Sequence, residues 1–418
     1  MTRKAPTRIA AAVLNSLGGG VVPRVGLEYI TVGRREEIHA LLRDVDNIAQ
    51  GSAAFRFLMG KYGAGKSFLL QTTRNHVMEK GFVVLDCDLT PQRRLCGSRG
   101  QGAATYQELV RNLSTRTKPD GGALQLMLDR WAAATQKEQL PVTLATMQEQ
   151  VHGFDFSLAL EKYWQAFHDG DEDMKARVVR WLRGEYTTKT TAKYAIGVSV
   201  IITDDNWYDF LKLLASFAVQ AGYAGMLVFI DELVNLYRIP HRATRQYNYE
   251  KLLSIYNDTL QGKAQYIGFI MGVTPQALED SEKGIFSYDA LRSRLAEGRF
   301  SSTGARDLLA PVIRLAPLSD EELLVLCEKL TALHTQLYAY ESAITPEEIA
   351  QFLKAEFDRI GAAQHITPRE VIRDWIELLN LTYQTPGTRV GDILMAGGFV
   401  FSNGASEDVD GEFAAFEV

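Results

Sequence analysis

Phe55-Arg56-Phe57-Leu58-Met59-Gly60-Lys61-Tyr62-Gly63-Ala64-Gly65-Lys66-Ser67-Phe68-Leu69-Leu70 is the stretch that decides the fold of this chain. A short aromatic-rich run stopped by Gly60 reads as a strand. Gly60 to Ser67 match G-x-x-x-x-G-K-[ST] at every position, and the apolar Phe68-Leu69-Leu70 continues into a helix. That context separates a phosphate loop from a chance glycine turn. The glycines let the backbone wrap so that successive N–H groups face β- and γ-phosphates. Lys66 adds a point charge there, and the Ser67 hydroxyl is placed to hold Mg²⁺.

Outward from this loop, Phe82-Val83-Val84-Leu85 is a second apolar strand, ending in Asp86-Cys87-Asp88. Strand, loop, helix, strand is the start of a parallel α/β sheet. Sheet signals resume at Met226 to Ile230, which run into Asp231-Glu232, and at Tyr266 to Met271. Beside a phosphate loop, Asp231 supports Mg²⁺ and Glu232 orients and polarises an attacking water. Asp86 and Asp88 end a rival strand, but their helix follows too early for this role. Residues 103–193 read as mostly helical, an insertion in the core and not a separate domain. Residues 5–17 read as a short helix, and Val32-Gly33-Arg34-Arg35-Glu36-Glu37-Ile38 opens an amphipathic one. Ser319-Asp320-Glu321-Glu322 and Thr345-Pro346-Glu347-Glu348 are helix starts. The expected division is an α/β nucleotide-binding domain over 1–317 with its helical insertion at about 103–195, a helical lid over 318–385, and a tail over 386–418. The tail's last 16 residues hold five acids and no base.

With 418 residues, 46% of them hydrophobic and 23% charged, the chain can bury a sizeable core and is not disordered. Its net charge of −6 gives no global attraction to nucleic acid, so any such binding rests on local patches. Cys87, Cys96 and Cys327 have neither metal-ligand nor disulfide spacing, which fits a reducing compartment. The apolar stretch Ile9 to Leu17 is too short for a secretory h-region and leads to no cleavage site. No run approaches the ~18 apolar residues of a membrane span. The expectation is a soluble cytoplasmic protein.

The two motifs and their spacing resemble the AAA+ superfamily of ATPases, whose fold is a P-loop core with a parallel sheet flanked by helices. The resemblance implies ATP and Mg²⁺ as ligands, with Gly60, Lys61, Tyr62, Gly63, Ala64, Gly65, Lys66, Ser67 and Phe68 around the nucleotide. Ser67 and Asp231 would serve the metal. Gly33 lies in a G-R-x-x-E-like box that such modules pack near the adenine. Thr274, after the Tyr266–Met271 strand, is similar to a sensor-1 residue, with threonine where asparagine is usual. Arg292 and Arg294 sit where the family places an arginine finger, which reaches a neighbouring subunit's ATP and implies a homo-oligomer. Arg369, in Thr367-Pro368-Arg369-Glu370, resembles a sensor-2 arginine. More narrowly, Gly-Lys-Tyr-Gly-Ala-Gly-Lys-Ser, Asp-Cys-Asp-Leu-Thr-Pro, the long helical insertion and Val-Phe-Ile-Asp-Glu-Leu resemble the BREX phage-defence ATP-binding proteins, the BrxD-like group, over roughly residues 8–385.

Two basic stretches stand out. Arg93, Arg94, Arg99, Arg111, Arg116 and Lys118 accompany one acid, Glu108; Lys175, Arg177, Arg180, Arg183, Lys189 and Lys193 accompany Glu185. Either suits a phosphate backbone, and Trp181, Tyr186 and Tyr194 suggest base stacking at the second. Solvated helical faces carry the same charges. The acidic tail is either a solubilising segment or a phosphate mimic that screens these patches. The leading expectation is an oligomeric ATPase engaging DNA or a defence partner. A slow-turnover nucleotide switch that recruits proteins is the alternative.

Overall fold

The structure is a computed structural model that describes residues 4–296, 306–360 and 367–395; the acidic stretch 403–418 lies outside them. Of the described residues, those within 1–35, 60–72 and 315–418 form one compact unit and those within 36–59 and 73–314 a second.

The second unit is built on five parallel strands, β1 (Ala53–Met59), β2 (Val83–Asp88), β3 (Met226–Asp231), β4 (Ile267–Val273) and β5 (Val312–Arg314), in the order β2-β3-β4-β1-β5. Met226 to Ile230 of β3 and the whole of β4 are unbroken apolar runs because a parallel sheet is covered on both faces. Pairing sets Met59 opposite Val273 and Asp88 opposite Asp231, so the C-terminal ends of β1, β2, β3 and β4 share one edge. β5 is only three residues long and was not apparent from sequence.

Helix α1 (Thr7–Gly18) precedes α2 (Arg35–Ile48), and α3 (Lys66–Glu79) joins β1 to β2. Seven helices then separate β2 from β3: α4 (Gln101–Arg111), α5 (Leu124–Ala134), α6 (Leu140–Gln148), α7 (Gly153–Asp169), α8 (Glu172–Leu182), α9 (Lys189–Ile196) and α10 (Trp207–Gln220). Their core is aromatic: Trp131 meets Phe217 edge-on at 5.3 Å, and Trp181 meets Phe210 at 5.5 Å. Helices α11 (Val234–Tyr237), α12 (Arg242–Leu260), α13 (Pro275–Glu279) and α14 (Asp289–Leu295) complete this unit.

In the other unit α1 packs with α15 (Asp320–Tyr338), α16 (Pro346–Ile360), α17 (Pro368–Gln384) and α18 (Val390–Met395). Val13, Leu330, Phe352, Trp375 and Val390 are at its centre, and the Trp375 indole donates to Cys327 O at 3.1 Å. The starts of α15 and α16 are as expected from sequence. Glu322 N donates to Ser319 Oγ and Ser319 N to Glu322 Oε2; Thr345 and Glu348 repeat the exchange.

One charge lies inside β1. Arg56 forks onto Asp44 of α2 at 2.6 and 2.9 Å, and its remaining nitrogen donates to Leu309 O and Ala310 O. It thereby joins α2, β1 and the segment entering β5. Removing Arg56 alone strands a largely buried carboxylate, so Arg56→Ala is expected to cost about 3–5 kcal/mol. In urea denaturation the double variant Arg56→Met/Asp44→Leu should lose markedly less than Arg56→Ala.

Candidate phosphate loop and acidic strand edge

Gly60 follows β1 without a break, and the loop it opens belongs to the unit containing α15–α18. Gly63 and Gly65 are both in the left-handed region, at φ +73° and +92°, where a side chain is strained. Alternation of this kind turns consecutive amides to one side and makes an anion nest. Nothing would touch a Cβ on Gly65, so its glycine is required by conformation alone. At Gly63 space is also short, because a Cβ would come within 2.5 Å of Thr367 Oγ1. Lys66 is buried; its ammonium donates to Gly60 O at 2.7 Å and Lys61 O at 2.9 Å and lies 5.3 Å from the Tyr62 ring centre. Ser67 is in the first turn of α3, and Phe68 packs into the core of α1 and α15–α17.

Thr367, which meets Gly63, is also the residue before α17. Its N–H and hydroxyl both donate to Glu370 Oε2 at 2.8 Å. This places the exposed Arg369 in the turn that abuts the loop. Gly33, at φ +69°, is packed against the Glu322 carboxylate, where a Cβ would collide. The next residue is Arg34, the arginine of the G-R-x-x-E-like box. It is 5% exposed and donates to Ala64 O at 3.1 Å and Ala316 O at 2.9 Å.

In the other unit, β3 delivers Asp231 and Glu232 to the sheet edge where β1 and β4 also end. Glu232 N donates to Asp231 Oδ1 at 2.9 Å. Glu232 itself has φ +59°, a strained conformation for a non-glycine residue. Neighbouring bonds enforce it: Asn235 N and Nδ2 donate to Glu232 O, and Asn235 Nδ2 also to Leu89 O. Such strain persists where surroundings over-determine it, characteristically at working sites. Surrounding protein and then the Asp231 carboxylate raise the Asp88 carboxyl above its ordinary range. Since Asp88 remains exposed, the charge opposite it in register is the firmer of these causes. Thr274 follows β4 and caps α13, its Oγ1 accepting from Ala277 N at 3.3 Å, which leaves the hydroxyl proton to donate elsewhere.

A nest with two left-handed glycines, a buried lysine beside it and a serine in the first helical turn fits a nucleotide's phosphates. The model of one protein family, the BREX system ATP-binding protein BrxC/D, matches residues 5–396. The chain belongs to this family. It is accordingly an ATP-binding protein of a phage-defence system. No curated protein matches the chain.

The remaining expected sites of this BrxC/D family member belong to the unit that carries the sheet. Arg292 and Arg294 are exposed on α14, Arg294 donating to Ala290 O of its own helix. The basic stretches are less basic than their sequences suggest. Arg93 and Arg111 share Glu108. Lys175 is buried between Asp129 and Glu172, Arg177 pairs with Asp173, and Arg180 stacks on Tyr186 near Glu185. Trp181 and Tyr186 are core residues, so the stacking role expected of them fails; Tyr194, 93% exposed, is the one that can stack. Among the described residues no carboxylate pairs with Arg94, Arg99, Arg116, Lys118, Arg183, Lys189 or Lys193. No helix among them is long and apolar enough to cross a membrane.

The backbone angles can be tested directly. Glu232→Gly should raise stability by about 0.5–1 kcal/mol, the released strain less the entropy cost of glycine. Glu232→Ala, which keeps the strain, should give no such gain; chemical denaturation compares the two. Gly63→Ala, facing both strain and Thr367, should weaken ATP binding more than Gly65→Ala does, as read by titration calorimetry.

Proposed function

We propose that this chain is a Mg²⁺-dependent ATPase of the AAA+ type, active as a homo-oligomer and engaging DNA during phage defence. The observation that carries the reading is the strained Glu232 beside Asp231 at the end of β3, in a chain whose β1 runs directly into a left-handed glycine loop. A pure binder has no use for a carboxylate held against its own backbone preference. In this reading the loop amides and Lys66 hold the β- and γ-phosphates, and Ser67 and Asp231 are the Mg²⁺ ligands. Mg²⁺, when bound with ATP, draws charge from the γ-phosphoryl group. Glu232 takes a proton from the water that attacks the γ-phosphorus, and ADP leaves with the bridging oxygen. Thr274 and Arg369 sense the γ-phosphate. Arg292 and Arg294, exposed on α14, act on the ATP of a neighbouring copy, which makes turnover depend on assembly. The helices of α4–α10 are the insertion of such a module, and α15–α17 its lid. The unpaired Arg183, Lys189 and Lys193 with Tyr194, together with Arg94, Arg99, Arg116 and Lys118, are the surface for DNA and defence-system partners.

The test is ATPase rate against protein concentration, with and without DNA, for the wild type and Glu232→Gln. Specific activity should rise with concentration and with DNA. Glu232→Gln should lose about 10²-fold or more in rate while still binding ATP. A flat, negligible rate with tight ATP binding would instead establish a nucleotide switch.

A further inference from the structure

We infer that Arg34 is a positioning residue for the phosphate loop, aiming the Gly65 N–H at the phosphates and tying that peptide to the segment that leads into α15. The inference rests on the reading of Gly60–Ser67 as a phosphate site and adds a residue outside it.

The peptide between Ala64 and Gly65 is trans, as are all those described, so its C=O and N–H point in opposite directions. One guanidinium nitrogen of Arg34 donates to Ala64 O at 3.1 Å. Whatever direction that carbonyl is held in, the Gly65 N–H faces the other way. Gly65 places no steric restraint of its own on this peptide, since a left-handed glycine with open space around it rotates easily. Something outside the loop must therefore fix the plane, and Arg34 is the group bonded to its oxygen. A permanent positive charge at the carbonyl end also polarises the peptide and strengthens its N–H as a donor to an anion.

The other guanidinium nitrogen donates to Ala316 O at 2.9 Å, in the segment between β5 and α15. Arg34 is itself held in place. Gly33 before it is packed against Glu322, and Glu322 is locked into the first turn of α15 by its exchange with Ser319. At 5% exposure the guanidinium has no room to swing away. Arg34 thus meets the loop from the α15 side, while Thr367 meets Gly63 from the start of α17. Lysine is a poor substitute, because two separate nitrogens serve two carbonyls where an ammonium offers one.

Competition binding on the full chain with ATP, ADP and AMP tests this, for wild type, Arg34→Ala and Arg34→Lys, with melting temperature recorded for each. Arg34→Ala should lower the preference for ADP over AMP about 10- to 100-fold, as loss of a charge-assisted hydrogen bond does, while AMP affinity moves less than about threefold. Arg34→Lys should fall between the two. Millimolar guanidinium, but not sodium chloride at equal strength, should restore ADP binding to Arg34→Ala, which also covers the case of a poorly folded variant. Equal losses for ADP and AMP, or unchanged ADP affinity, would overturn the positioning role. A wild type that binds ADP no better than AMP would instead sink the phosphate-site reading itself.

Discussion

A loop that turns several amides toward one point must pass through left-handed backbone, and in this chain that requirement falls on Gly63 and Gly65. An α/β sheet supplies strand ends in register, and a helix start supplies amides, but neither makes the turn between them. The turn needs residues without a Cβ. Such residues also leave the peptide planes loosely determined. The structure answers with contacts from outside the loop, Arg34 on Ala64 O and Thr367 against Gly63, and with one from the loop's own end, Lys66 back onto Gly60 O and Lys61 O. Permissive backbone and restraining neighbours are two halves of one device.

The acidic edge solves the opposite problem. Glu232 has a side chain where backbone geometry favours glycine, and it is kept there by Asn235, by Asp231 and by the register of β3 with β4. Local preference and global fold disagree at this residue. Sequences that fold well carry few such conflicts, and those they retain concentrate where chemistry demands them.

Much of this was legible in the residues. Strong period and composition marked β1, β2, β3 and β4, and Gly60–Ser67 matched its pattern at every position. Ser319 and Thr345 announced their helices because capping chemistry is local. What was not legible depended on partners distant in sequence. β5 is three residues long, too short to show a period, and is a strand only because it pairs with Phe57 to Met59. The core that α1 shares with α15 and α17 is a packing choice that no neighbouring residue of α1 records. Trp181 and Tyr186 looked available for stacking because aromatic residues between bases read alike whether exposed or buried. Arg34 looked like one more charge in a helix-opening box. Its importance lies in Ala64 and Ala316, 30 and 282 residues away.

The same distinction between local and distant partners bears on charge. Summed along the sequence, each basic stretch appears strongly positive. Folding pairs Arg93 and Arg111 with Glu108, and Lys175 with Asp129, the last carboxylate lying 46 positions from its lysine. An ion pair of this kind removes both the charge and its freedom to seek a ligand, whatever its small contribution to stability. The cations left over are therefore more informative than the totals. On α9, Lys189 and Lys193 are four residues apart and so lie on one face, with Tyr194 beside them and Ala192 and Ile196 turned to the core. A solvated helical face carries such charges too, but here the two lysines keep their charge unpaired and Tyr194 stands bare beside them. On the proposed reading it is therefore α9, and not the stretch as a whole, where a phosphate-bearing partner would gain most from contact.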